Sequence, residues 1–98
     1  MEKLFAYGTL LDSAVQMSVF GKILRGVSTC LKGYRKTAIA IDNVEYPNLQ
    51  EFDEGIVDGI VFEITEAELL RADEYEGEEY KRIRCTLENG VVVWIYIS

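Results

Sequence analysis

Lys3-Leu4-Phe5-Ala6-Tyr7-Gly8-Thr9-Leu10 is the stretch whose reading decides the fold. Lys3 to Tyr7 is a short apolar run of the kind a buried strand requires, and Gly8 ends it. A chain that breaks at glycine can turn consecutive backbone N–H groups outward, where they hold a carboxylate or a carbonyl oxygen without a basic side chain. Asp12 follows as the cap of a weakly amphipathic helix running to about Phe20, with Gly21 as its stop. The Tyr7 to Leu10 loop therefore joins a strand to a helix.

Further along, Ile23 to Leu31 and Tyr34 to Ile41 carry β-branched and aromatic residues on either side of Lys32-Gly33, which predicts two strands around a turn. Pro47, the single proline, lies in Tyr46-Pro47-Asn48-Leu49 and cannot sit in a central ladder, so that segment is an edge or a loop. Leu49 to Phe52 reads as a short strand, Asp53-Glu54-Gly55 as a turn, and Ile56 to Ile64 as a strand in which Gly59 marks a bulge or a close approach. Thr65-Glu66-Ala67-Glu68 is a capping box, so a helix starts there and ends near Gly77. Tyr80 to Leu87 and Val91 to Ile97 flank Asn89-Gly90, a strong hairpin signal. Five to seven strands with two helices inserted at separate points predict an α+β domain, residues 1–98, whose glycines suit a curved sheet or a small mixed β-barrel.

Composition narrows the chemistry. With 98 residues the chain forms one core, and 49% hydrophobic with 28% charged residues describes an ordinary globular domain. No apolar stretch approaches the length of a membrane span, and Met1-Glu2-Lys3 leads straight into strand-like sequence without a secretion signal, so a cytoplasmic protein is expected. Cys30 and Cys85 lie in separate strand-like segments, which fits free thiols. The net charge of −7 and the scattering of Lys and Arg disfavour nucleic acid as a partner. The chain has no histidine, which removes Ser-His and Cys-His catalysis and His-containing zinc sites, and neither phosphate-loop nor dinucleotide glycine motifs occur. No metal or cofactor is expected. What survives is chemistry by one general acid/base with backbone donors.

Seven acids between Glu66 and Glu79 face Arg71 alone, and most read as a solvated helix face. Glu76 stands apart. Leu69, Ala72 and Glu76 share one face of the Thr65-capped helix, and Leu69 marks that face as the buried one. A carboxyl turned inward has a raised pKa and becomes a usable base near neutral pH. On spacing alone it stays open whether Glu76 does this, pairs with Arg82 or Lys81, or is exposed by fraying of the helix end.

These residues resemble the gamma-glutamylcyclotransferase-like family, which includes gamma-glutamylamine cyclotransferases and the avirulence-induced-gene-like proteins. The resemblance runs nearly end to end. It rests on Tyr7-Gly8-Thr9-Leu10, Tyr46-Pro47-Asn48-Leu49, the glycine-containing Val57 to Ile64 and Asp73-Glu74-Tyr75-Glu76-Gly77 followed by Tyr80-Lys81-Arg82. It implies a small mixed β-barrel with flanking helices, Glu76 as the catalytic glutamate, and a backbone cradle at Tyr7, Gly8, Thr9 and Leu10 for a gamma-glutamyl group. The product would be 5-oxoproline with release of an amine. Tyr46, Tyr80 and Arg82 are candidates to line the cleft. Leu11-Asp12-Ser13 departs from the family pattern by placing an acid beside the cradle, and many members continue past the last strand, so an open pocket is expected here.

Two other readings accompany this one. A non-catalytic module of the same fold would hold a small carboxylate or amine metabolite. A protein-interaction domain would use the C-terminal hairpin and its final strand as an exposed edge, through which a homodimer would form.

Overall fold

The computed structural model describes residues 1–98. The elements in chain order are β1 (Glu2–Ala6), a single 3-10 turn (Thr9–Leu11), α1 (Ser13–Phe20), β2 (Gly26–Ile41), β3 (Val44–Ile64), α2 (Glu66–Glu76), β4 (Lys81–Thr86) and β5 (Val92–Ile97). The five strands form one curled sheet in the order β2-β3-β1-β5-β4, a half-barrel with two helices. Pairing is antiparallel except between β1 and β5, which run parallel and meet at Leu4 and Trp94.

Alternation along β1 divides the core in two, because successive side chains of a strand point to opposite faces. Leu4 and Ala6 join Phe62, Ile64, Leu69, Ala72 and Phe20 beneath the helices. Phe5 and Tyr7 join Leu31, Val57, Val93 and Ile95 on the concave side. The two edge strands approach each other through side chains: the Lys32 ammonium lies 2.8 Å from Glu88, and the Cys85 thiol is 3.6 Å from the Tyr34 hydroxyl. Both cysteines are half-buried and unpaired. Neither helix is long and apolar enough to cross a membrane.

The predicted helices form as their caps dictate. The Asp12 side chain accepts from the Ala14 N–H at 2.8 Å, and Gly21 closes α1 in the left-handed conformation at φ 73°. In the Thr65–Glu68 capping box both reciprocal hydrogen bonds are made, at 3.1 and 2.8 Å. The Thr65 N–H holds the Glu68 carboxyl below the usual range, and Lys22 lies 2.9 Å from the same carboxylate, tying α2 to the exit of α1.

The strands correct the sequence reading in three places. Lys32-Gly33 is not a turn, because β2 runs through it with Gly33 at φ 88°, and the register slips there. Asp53-Glu54-Gly55 is not a turn either. Lys32 pairs with Ile56 and Tyr34 with Glu51, so Phe52 to Gly55 face Gly33 alone while the chain stays extended. The reversal that makes the β2–β3 hairpin is Asp42-Asn43, with φ 51° and 66°, the double left-handed pair of a type I′ turn. Pro47 sits in the part of β3 that pairs with β2 but lies outside the β1 ladder, so its missing N–H faces a free side. The third correction is at the C-terminal hairpin. β5 lies inside the sheet, between β1 and β4, so the free edge of this hairpin is β4.

Gly59 is a close approach, with no slip in register at that position. A Cβ there would stand 2.5 Å from the Ala6 carbonyl oxygen and 2.5 Å from the Phe5 ring. Since Ala6 and Phe5 belong to the strand that carries both cores, they have little freedom to retreat. Gly59→Ala is expected to lower the unfolding free energy by about 2–3 kcal/mol, measured by urea denaturation. A variant as stable as the parent would show that β1 and β3 can part at this point.

Candidate functional site

The chain leaves β1 at Ala6 and turns beside the C-terminal end of α2, and a narrow cavity of about 30 Å³ lies between them, room for roughly two waters. Tyr7, Gly8, Thr9 and Leu10 form one wall, and Glu76, Tyr80, Pro47 and Tyr96 complete it. Gly8 is needed for proximity, since a Cβ there would come within 3.3 Å of the Pro47 ring. The 3-10 turn uses the N–H groups of Leu11 and Asp12, which donate to the carbonyls of Gly8 and Thr9 at 3.0 Å. The N–H groups of Gly8, Thr9 and Leu10 have no backbone acceptor, as the first residues of a helical turn do not. Asp12, the acid next to this loop, is occupied as the cap of α1.

Two contacts hold the loop in place. Buried Gln16 donates from its amide nitrogen to the Leu10 carbonyl at 2.8 Å and accepts from the Leu24 N–H at 2.9 Å. The Tyr75 hydroxyl bonds Thr9 Oγ1 at 2.8 Å, joining α2 to the loop across the site.

Glu76 is the last residue of α2 and is half-buried. Ala72 and Leu69, one and two turns earlier on the same face, are buried, so the face predicted to point inward does so. Glu76 takes part in none of the ion pairs; Arg82 instead makes a bidentate contact with Asp73, at 2.8 and 3.0 Å. Asp73 also accepts from the Tyr96 hydroxyl at 2.6 Å. This trio clamps the final turn of α2 onto β4 and β5. Without a cationic partner, Glu76 responds to burial, which pushes its carboxyl up to about 7. Burial also raises the hydroxyls of Tyr7, Tyr80 and Tyr96, and the nearby Glu76 carboxylate raises all three further. Each hydroxyl stays protonated as a donor: Tyr7 donates to the Tyr96 carbonyl and Tyr80 to the Pro47 carbonyl at 2.6 Å.

Of the residues singled out from sequence, Tyr7, Gly8, Thr9, Leu10, Glu76 and Tyr80 meet at this cavity. Tyr46 and Arg82 do not line it. Tyr46 is 37% exposed and within electrostatic reach of Tyr80, and its neighbour Pro47 lines the cavity in the place expected of it. Arg82 is drawn away by Asp73 and stacks at 4.2 Å over the Trp94 ring. The sequence reading missed Tyr96, Pro47 as a wall, and the supports Gln16 and Asp73. No group of three or more His, Cys, Asp or Glu gathers in the way a metal site requires. The arrangement offers one titratable carboxyl near neutrality facing free backbone donors, a layout suited to moving a proton beside a developing oxyanion.

Comparison with known proteins gives the family and the fold. Residues 4–98 match the family described as gamma-glutamyl cyclotransferase, AIG2-like. The chain is 30% identical over 80 residues to Protein AIG2 C of Arabidopsis thaliana, an alignment covering 81% of this chain and 47% of that protein. It therefore spans about half the length of the curated relative it matches. A solution structure of another Arabidopsis thaliana protein is 28% identical with a TM-score of 0.81, covering 98% of this chain and 61% of that one. A structure named gamma-glutamyl cyclotransferase superposes with a TM-score of 0.77 at 14% identity, covering 98% and 65% of the two chains, a likeness of fold.

The raised Glu76 pKa has a consequence for stability. The folded protein holds this proton more tightly than the unfolded chain, whose glutamate titrates near 4.5. The stabilisation is thus present below about pH 4.5 and is lost as pH rises through about 7. Glu76→Gln removes the titration. The stability of the variant relative to the parent is expected to rise by about 1–3 kcal/mol between pH 5 and pH 8, measured by urea unfolding at both. Parallel pH dependences in the two proteins would show that Glu76 is solvated.

Proposed function

This chain belongs to the gamma-glutamyl cyclotransferase, AIG2-like family, and on that premise we propose that it cyclises a small gamma-glutamyl amine or related gamma-glutamyl compound in the cytoplasm, giving 5-oxoproline and a free amine. The observation that carries this reading is the half-buried Glu76 carboxyl, with its pKa near 7, on the wall opposite free backbone N–H groups.

In this reading Glu76 removes a proton from the substrate α-ammonium. The freed amine attacks the γ-carbonyl of the same molecule, the tetrahedral oxyanion collapses with cleavage of the γ-carbonyl–amine bond as Glu76 returns the proton to the departing amine, and the ring nitrogen gives up its second proton to the Glu76 carboxylate or solvent. The nucleophile is already tethered to the electrophile, so the protein needs to fold the substrate into a ring and hold the oxyanion. Backbone N–H groups at Gly8, Thr9 and Leu10 serve the substrate's oxygens, and Tyr80 and Tyr7 bound the gamma-glutamyl chain. No step needs a metal or cofactor. A second reading, a module that holds such a compound without turning it over, rests on the same loop and cavity, since a fold can keep its binding site without the chemistry.

The deciding experiment measures 5-oxoproline release from a panel of gamma-glutamyl amines and dipeptides. The parent is expected to release it, and Glu76→Gln to fall by at least about 100-fold while remaining folded. Undiminished release in the variant would remove Glu76 from the mechanism. Saturable binding without release selects the second reading. For the parent, kcat/KM is expected to rise with pH and level off above about 7, as Glu76 loses its proton and becomes competent as a base. A profile flat from pH 5 to 8 would contradict its role as the base.

A further inference from the structure

A cavity of about 530 Å³, far larger than the one beside Glu76, opens at the other end of the concave face. The β1 row makes the relation plain. Lys3, Phe5 and Tyr7 share one face of the strand. Tyr7 lines the Glu76 cavity, Lys3 lines the large one, and fully buried Phe5 stands between them.

The inner row of β2 shows the same opening. Leu31 is 2% exposed, whereas Val27, two steps earlier on the same side, is 72% exposed. Val27 pairs with Val61 across the sheet, and Leu87 and Val91 from the β4–β5 loop form the facing wall. Together these four side chains give an open trough with an apolar wall set among polar, charged and glycine residues, in the size range of small-molecule sites.

The rim sets the sign of the ligand. Lys3 and Glu63 lie 3.7 Å apart as an exposed ion pair whose charges offset each other. Arg25, also on the rim, enters none of the ion pairs. A chain of net charge −7 thus presents a local excess of positive charge at the mouth of an apolar trough. A cationic head would meet Arg25, and a polyphosphate would find one unpaired guanidinium where it needs several donors.

We propose that this cavity binds a small carboxylate with an apolar body, its tail against Val27, Val61 and Leu87 and its head on the Arg25 guanidinium. The site is independent of the Glu76 cavity and of the reaction assigned to it.

The test uses octanoate as probe on the isotopically labelled full chain, following amide shifts by NMR, with octylammonium and octanol as matched tails. Octanoate is expected to saturate shifts at Val27, Thr29, Val61 and Val91 with a Kd of about 0.1–1 mM, and octylammonium to leave them unmoved. Arg25→Gln is expected to weaken octanoate about fivefold or more without changing 5-oxoproline release, and Val27→Trp, on the exposed wall, to block the trough. Silent wall amides up to about 10 mM octanoate would overturn the proposal. So would equal binding of octylammonium, or shifts clustered at Tyr7 and Tyr80. Shifts at the wall that depend on protein concentration alone would assign the trough to a second copy of the chain and overturn it as well.

Discussion

The position of β1, five residues pinned between an antiparallel neighbour and a parallel one, governs the rest of the molecule. Its alternation sends Leu4 and Ala6 into one core and Phe5 and Tyr7 into the other, so neither layer forms without it. Gly59 in β3 has no side chain because Phe5 and the Ala6 carbonyl already fill that space. A strand held this firmly delivers its end to a fixed place, and the Tyr7 to Leu10 loop begins there. Pre-organised backbone donors are useful to catalysis only when their anchor does not move.

The opposite wall of the site obeys a different rule. Glu76 is raised by desolvation rather than by a like charge, and Arg82, a cation on the strand that follows, is taken up by Asp73. Asp73 lies one turn before Glu76 on the same helix. The ion pair therefore does two things at once: it fixes the last turn of α2, and it keeps a guanidinium out of the cavity. The molecule gives up stability at neutral pH to keep an unpaired carboxylate half-buried, a pattern expected where a group is retained for its chemistry.

Local signals in the sequence were legible and distant ones were not. Asp12, Thr65, Glu68, Gly21 and Gly77 specify their helix ends through contacts within four residues, and each does what its type and spacing require. The inward face of α2 was legible because Leu69, Ala72 and Glu76 depend on helical periodicity alone. The long ribbon was misread at Lys32-Gly33 and Asp53-Glu54-Gly55 because glycine beside polar residues marks a wide bulge and a turn equally well. Only the partner strand, which pairs on both sides in a shifted register, tells them apart. Asp42-Asn43 carried the turn in residues that tolerate positive φ as glycine does. Arg82 belongs to Asp73 rather than Glu76 because Gly77 reverses the chain between them, and Gln16 and Tyr96 reach the site through contacts that no spacing rule encodes.

The Asn89-Gly90 hairpin bears on how the protein ages. Asparagine followed by glycine is the sequence most prone to deamidation, which begins when the glycine nitrogen attacks the side-chain amide carbon. Here the Gly90 N–H is donated to the Leu87 carbonyl at 2.9 Å, and the Asn89 side-chain oxygen is held by the Val91 N–H at 3.0 Å. Both reactants are engaged elsewhere, and succinimide formation must wait for the turn to open. The shelf life of the purified protein at this dipeptide is thus set by the breathing of one hairpin.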